Sequence, residues 1–130
     1  MAALSDYAEK LLLDYAMTAG SVTRPTAWYV ALYTGAPSDS GGGTEVSGSG
    51  YARQAVTFAA ATSGAGTTSN TNAQTFTASG GAFGTVTHIG ILDASSGGNL
   101  LWHGAMTASK TIADGDTLEF SIGNIDLTLA

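Results

Sequence analysis

The residues that could do chemistry are most concentrated around one glycine-rich stretch. Residues 43–56 read GTEVSGSGYARQAV, with Glu45 and Arg53 on either side of the glycines and serines. A phosphate-binding loop needs a lysine on the phosphates and a helix N-terminus beyond it. This stretch has no Gly-Lys-Ser/Thr ending, and it runs into an apolar segment with strand character. Glu45 would also repel a phosphate, so the pattern argues against nucleotide binding.

Glu45 and Arg53 carry opposite charges and could close the loop between them through a charge-assisted hydrogen-bonded pair. Two interpretations stay open for this pair. It could act as a clamp within one subunit, or it could contact a neighbouring subunit. Arg53 is the one cation in the sequence between Arg24 and Lys110.

The two histidines fall in segments predicted to form a hairpin, residues 86–92 and 100–107. Pairing about the centre of the intervening loop would bring His88 and His103 near opposition, on the face away from Ile89, Ile91, Leu100 and Trp102. A one-residue shift in register would separate them. Two imidazoles could begin a zinc site, but the sequence offers no evident third or fourth ligand nearby. We therefore interpret them as exposed or interface histidines.

The carboxylates and serines form no recognisable catalytic pattern. Asp114-Gly115-Asp116 lacks the twelve-residue spacing and terminal glutamate of a calcium loop and is typical of a turn. Asp93, Asp114, Asp116 and Glu119 could converge as glycosidase carboxylates, but nothing in their spacing predicts it. No G-x-S-x-G elbow is present for a serine nucleophile. We expect no catalytic residue, no metal and no cofactor, and hence no enzyme.

The composition limits the partners that this chain can bind. Only 11% of its 130 residues are charged and the net charge is −6, against roughly 25% charged residues in typical domains. Without a basic patch, direct binding to nucleic acid is not expected. A surface of hydroxyls and amides is easier to desolvate than one of ions, which suits subunit packing and also carbohydrate. The absence of cysteine excludes disulfides, and we expect neither a signal peptide nor a membrane span.

The elements that must position these residues are one helix and a series of short strands. Apolar spacing predicts a helix over residues 4–19, with Ser5 as N-cap and Gly20 as the stop. Residues 117–122 and 125–129 are predicted to form a second hairpin, and the other predicted strands are residues 28–34, 51–60 and 73–78. Seven or eight such strands predict a mainly β fold, an antiparallel β-sandwich that is jelly-roll-like. We predict a single domain over 1–130, with the sandwich over 27–130.

Three segments carry a resemblance to a known family. They are WYVALYTGAPSDSGGGTEVSGSGYARQAVTF, GTVTHIGILDASSGGNLLWHG and IADGDTLEFSIGNIDLTL. Together they resemble small β-rich structural proteins of tailed bacteriophages, which include minor tail or fibre proteins and head decoration (cement) proteins. The similarity runs from about residue 4 to the end. Glu45, Tyr51 and Arg53 are the motif positions that it marks as important for structure or for an interface.

The resemblance implies a virion protein, and we expect a capsid cement protein first. Such a protein would form a homotrimer, bind the major capsid protein between capsomers and stabilise the head from the capsid surface after synthesis in the host cytoplasm. The helix or the loop over residues 35–50 would reach the neighbouring subunits. The alternatives are a tail, baseplate or fibre-associated protein, or a module that binds host-surface carbohydrate through Trp102 or Tyr51.

Overall fold

The computed structural model describes residues 2–129 and contains one helix and ten strands within them. The helix, α1, spans Asp6–Met17. The strands are β1 (Ala2–Leu4), β2 (Tyr29–Gly35), β3 (Thr44–Glu45), β4 (Gln54–Ala55), β5 (Thr67–Ser69), β6 (Gln74–Thr77), β7 (Gly84–Leu92), β8 (Leu100–Ile112), β9 (Thr117–Phe120) and β10 (Asp126–Thr128).

The strands form one large sheet and two small ones, and every pair is antiparallel. The large sheet has the order β1-β8-β7-β2-β3, with β4 also paired to β2. The small sheets are the pairs β5–β10 and β6–β9. The main core lies between the large sheet, which contributes Val30, Leu32 and Val86, and the small ones, which contribute Phe76 and Leu127. The predicted mainly β, antiparallel sandwich with one helix is confirmed.

Strand β2 shows how alternation sets the two faces of the large sheet. Val30 and Leu32 point into the main core. Ala31 and Tyr33 point to the opposite face, where they form a second, smaller cluster with Leu92 and Leu100. This alternation follows the predicted pattern, because successive side chains of a strand lie on opposite faces. The second cluster forms the floor of a surface cleft.

The helix is shorter than the predicted 4–19. Leu4 belongs to β1, opposite Trp102 of β8, because the backbone of β1 continues the large sheet. Ser5 is the N-cap as predicted, and its hydroxyl oxygen accepts a hydrogen bond from the Ala8 amide at 3.1 Å. The helix ends with Thr18 as C-cap, two residues before the predicted stop at Gly20. No helix within residues 2–129 has the length and apolar character needed to cross a membrane.

Two strand predictions were wrong in detail. Residues 117–122 and 125–129 do not pair with each other, because β9 pairs with β6 and β10 pairs with β5. The side-chain amide oxygen of buried Asn70 accepts a hydrogen bond from the Ile125 backbone amide at 2.9 Å. This bond holds the β9–β10 connection where the chain passes from one small sheet to the other. Within residues 51–60 only β4 is a regular strand, although Val56 is buried and its neighbours are exposed as the alternation predicted.

The β7–β8 hairpin is present, but its register differs from the simplest pairing. His88 lies opposite Ala105 and Gly90 lies opposite His103, so the histidines are diagonal neighbours and not a facing pair. The ladder shifts between Ile91 and Leu92. This shift also places Leu100 in the second cluster, on the face opposite Trp102, whereas the sequence pattern had assigned both to one face.

Candidate interaction site

The structure brings Glu45, Tyr51 and Arg53 together in one hydrogen-bonded cluster. The Arg53 guanidinium donates from Nε to Glu45 Oε2 and from Nη2 to Glu45 Oε1, both at 2.8 Å. The Tyr51 hydroxyl donates to Glu45 Oε2 at 2.6 Å and accepts from the Leu32 amide at 3.0 Å. The cluster therefore fixes the ends of the glycine-rich stretch to the middle of β2.

The pKa shifts follow from burial and from these bonds. Burial alone would raise the pKa of Glu45, but hydrogen bonds from Arg53 and Tyr51 outweigh it and lower that pKa below 4.5. The bond to Glu45 raises the pKa of Arg53. Burial, followed by the Glu45 bond, raises the pKa of Tyr51. All three groups are thus held in their ordinary neutral-pH states.

Arg53 also reaches the β7–β8 loop. Its Nη1 donates to the carbonyl oxygens of Ala94 and Gly97, each at 2.8 Å. The guanidinium side chain is only 9% exposed. One side chain thus joins β3 and the segment just before β4 to the β7–β8 loop, whose bonded carbonyls lie 41 and 44 residues along the chain from Arg53. This is the clamp within a subunit that the charge pattern suggested, and a role at a subunit interface stays a prediction.

A cleft of about 670 Å³ opens beside the clamp. The N-terminus of α1, the loop over residues 38–43 and the β7–β8 loop form its walls. The second hydrophobic cluster forms its floor through Tyr33, Leu92 and Leu100. The polar groups at its rim come from Asp6, Tyr7, Asp39, Ser40, Glu45, Arg53 and Asn99.

Sequence reasoning missed Tyr33, Asp39 and Asn99 as members of this site. The alternation in β2 places Tyr33 on the face away from the main core, which was a usable signal. Asp39 and Asn99 lie in loops whose meeting depends on the whole topology. Asp39 Oδ1 lies 2.7 Å from Nε2 of His103, and the Asn99 amide donates to Asp93 Oδ1 at 2.7 Å.

The histidines and the remaining carboxylates are dispersed among local contacts. His88 Nδ1 lies 2.8 Å from the hydroxyl of Thr87. Asp114 and Asp116 accept from the amides of Gly80 and Ala113, both at 3.0 Å, which are turn contacts. Among residues 2–129 no group of three or more histidine, cysteine, aspartate or glutamate side chains is arranged to hold a metal ion.

A second, apolar surface lies on α1. Leu13 and Met17 are 62% and 77% exposed, although such side chains are usually buried. The other side of the helix, with Leu11, Leu12 and Tyr15, borders an open apolar cleft of about 290 Å³ whose far wall includes Val22, Pro25 and Trp28. Both sides of the helix therefore leave apolar area uncovered.

The family of the chain is shown by a comparison with protein-family models. The model described as podophage GP4 fiber I protein gp80 matches residues 3–128. The chain belongs to this family. No curated protein matches the sequence.

Membership in the gp80 family confirms the resemblance to small β-rich phage structural proteins. The match spans α1, both layers of the sandwich and the clamp residues Glu45, Tyr51 and Arg53. The family is one of phage structural proteins, which supports a virion component and gives no support for an enzyme. Its description names a fibre, which favours the fibre-associated alternative over capsid cement.

Proposed function

We propose that this chain is a fibre-associated structural subunit of a podophage virion, which acts by non-covalent assembly and not by catalysis. The observation that carries the proposal is the match to the fiber I protein family over residues 3–128. Since the match covers nearly the whole described chain, it supports the proposal for the complete fold and not for one segment of it.

The surface of the chain supports an assembly role. Charged residues are few, so subunit contacts require little desolvation of ions. The exposed apolar side chains of α1, above all Leu13 and Met17, would be covered by a neighbouring subunit in the particle. Contacts of this kind add up when many subunits are held together, because each further contact forms at high effective concentration.

The first expectation, a capsid cement protein that forms a homotrimer on the major capsid protein, rests on the sequence resemblance alone. The family description names a fibre and no capsid. We therefore give the fibre assignment precedence over the cement assignment.

Localisation in the particle tests the proposal. Phage particles whose genome encodes this chain should be labelled with gold-conjugated antibodies raised against the purified protein and imaged by electron microscopy. We expect label on fibres of the particle and none over the capsid faces. Loss of the same fibres from particles made without the gene would support the assignment. Label spread evenly over the head would overturn it and restore the cement interpretation.

A further inference from the structure

Given the assembly role proposed above, we propose that the neighbouring subunit on α1 is a second copy of this chain. An exposed row on the helix of one copy inserts into the apolar cleft beside the helix of the next copy. The outer row consists of Glu9, Leu13 and Met17, which follow one another at intervals of four residues and so line up along one side of the helix. The helix cleft is the open space of about 290 Å³ between α1 and residues 22–28.

The helix is attached to the body of the protein at its N-terminal end. There the Asp6 amide donates to the Asp39 carbonyl oxygen at 2.8 Å, and Ala8 is the one buried residue of the helix. Beyond Asp6, no hydrogen bond joins the helix or residues 18–27 to a strand, within residues 2–129. The rest of the helix therefore leaves apolar side chains that only another molecule could cover.

The outer row and the helix cleft carry opposite charges. Glu9 is an exposed carboxylate at one end of the row, and Arg24 lies in the wall of the cleft. Neither makes an ion pair within residues 2–129, whereas Arg53 is paired with Glu45. Arg24 is also one of only four cations in a chain of net charge −6. A copy of the same chain would bring both an apolar ridge and a carboxylate to this cleft.

The positions of the two surfaces on the helix determine the kind of contact. At 3.6 residues per turn, Leu13 of the row and Tyr15 of the cleft point roughly 160° apart around the helix axis. A row therefore cannot enter the cleft of its own copy. Each copy would use its row towards one neighbour and its cleft towards the next, which is a heterologous contact that closes into a ring when the rotation between copies allows it.

Sedimentation velocity of the full chain at increasing concentration tests the inference. We expect the mean mass to rise reversibly above that of one chain, with half-association on the order of 100 µM, because the contact surface of one helix is small. The Leu13→Ser, Met17→Ser double variant should associate about 10-fold more weakly, since the apolar area to be buried is lost.

Charge reversal tests the pairing of Glu9 with Arg24 between copies. Glu9→Arg and Arg24→Glu should each weaken association by about 5-fold or more, because like charges would meet. Both substitutions in one chain restore opposite charges, so association should return to within about 2-fold of the wild type. Lys110→Glu makes the same charge change at an exposed cation outside both surfaces and should have no effect. Circular dichroism checks that every variant is folded.

Introduced cysteines distinguish the heterologous contact from a twofold packing of the helices. The sequence contains no cysteine, so each introduced thiol reports on one position. Chains with Leu13→Cys, mixed with chains that carry Val22→Cys or Pro25→Cys in the helix cleft, should form mixed disulfides faster than either variant links to itself. Faster self-linking of Leu13→Cys would overturn the insertion of a row into a cleft.

A chain that stays monomeric at millimolar concentration would overturn the inference, and so would a charge-reversed pair that fails to restore association. If a monomeric chain nevertheless needed Leu13 and Met17 for incorporation into particles, the occupant would be a different virion protein. Monomers together with gold label on the fibres would overturn this inference alone. Association through α1 together with label over the head would overturn only the fibre assignment.

Discussion

Glu45 is a partly buried carboxylate whose charge depends on two neighbours. Burial opposes its ionisation, whereas the bidentate bond from Arg53 and the bond from Tyr51 favour it. An arginine–carboxylate pair with two parallel bonds is among the stronger polar contacts in proteins. The stabilisation from this cluster should therefore be present only while Glu45 is charged.

Lowering the pH should remove the contribution of Glu45 to stability. Its pKa is lower in the folded chain than its ordinary value of 4.5, so the unfolded chain takes up the proton first. The contribution is fully present above about pH 4.5 and is lost as the pH falls through the folded-state pKa. Urea unfolding should show Glu45→Gln less stable than the wild type by about 1 kcal/mol at pH 7. A stability difference that stays constant between pH 4.5 and pH 3 would contradict this prediction.

The sequence allowed only part of this site to be predicted. Opposite charges on either side of one loop made the pairing of Glu45 with Arg53 foreseeable. The bonds from Arg53 to Ala94 and Gly97 were not, because they depend on how the β7–β8 ladder shifts its register. The place of Asp39 and Asn99 in the cleft was not foreseeable either. They lie in loops that meet only in the folded chain, and such non-local contacts leave no periodic signal in a single sequence.

The loop between β2 and β3 depends on one glycine in particular. Gly42 and Gly43 have nearly equal φ angles of 77° and 79°. A Cβ added at Gly43 would lie 2.8 Å from the Gly35 carbonyl oxygen and from backbone atoms of Pro37, whereas one added at Gly42 would meet nothing within 4 Å. The two positions thus share the strain of positive φ and differ in crowding.

Gly43→Ala should accordingly destabilise the chain more than Gly42→Ala. Both variants carry the left-handed strain of about 1–2 kcal/mol, and the clash at Gly43 should add about 1–3 kcal/mol. Chemical denaturation of the two variants and the wild type measures the difference directly. Equal losses of stability would mean that the loop relaxes around the added methyl group.

The side of α1 that carries Leu13 and Met17 allows assembly to be tested separately from folding. Leu13→Ser and Met17→Ser change exposed side chains, so the free energy of unfolding should move by less than about 0.5 kcal/mol each. Incorporation of the double variant into particles should fall, because the apolar area to be covered is lost. Ile122→Ser, which changes a similarly exposed residue in the β9–β10 connection, is the matched control. Normal incorporation of the double variant would exclude this helix side as a subunit contact.

Elements with strong periodic patterns were predictable, and short ones were not. The amphipathic helix, the alternation in β2 and the β7–β8 hairpin followed from residue spacing. β3 and β5 lie in stretches rich in glycine, serine and threonine and contain two or three residues, too few to show a period. β3 forms through its pairing with β2, and β5, like β1, forms through pairing with a strand distant in sequence. Long-range pairing also separates β9 from β10.

The whole molecule should unfold as one unit, as the predicted single domain requires. The main core takes side chains from the large sheet and from both small sheets. A two-stranded sheet alone is marginally stable at best, so neither small sheet should persist without the large one. Calorimetry should give one transition whose calorimetric and van't Hoff enthalpies agree, at roughly 90 kcal/mol near 60 °C. Two resolved transitions would show independently folding parts.

Trp28 borders the apolar cleft beneath α1 and is only partly buried. Its indole is therefore an intrinsic optical reporter for that surface. If a neighbouring subunit packs there, the emission of Trp28 should shift to shorter wavelength as water leaves the ring, whereas Trp102, near the start of β8, should change little. A Trp102→Phe variant would isolate the signal, so that coverage of the helix surface could be followed in solution without any attached label.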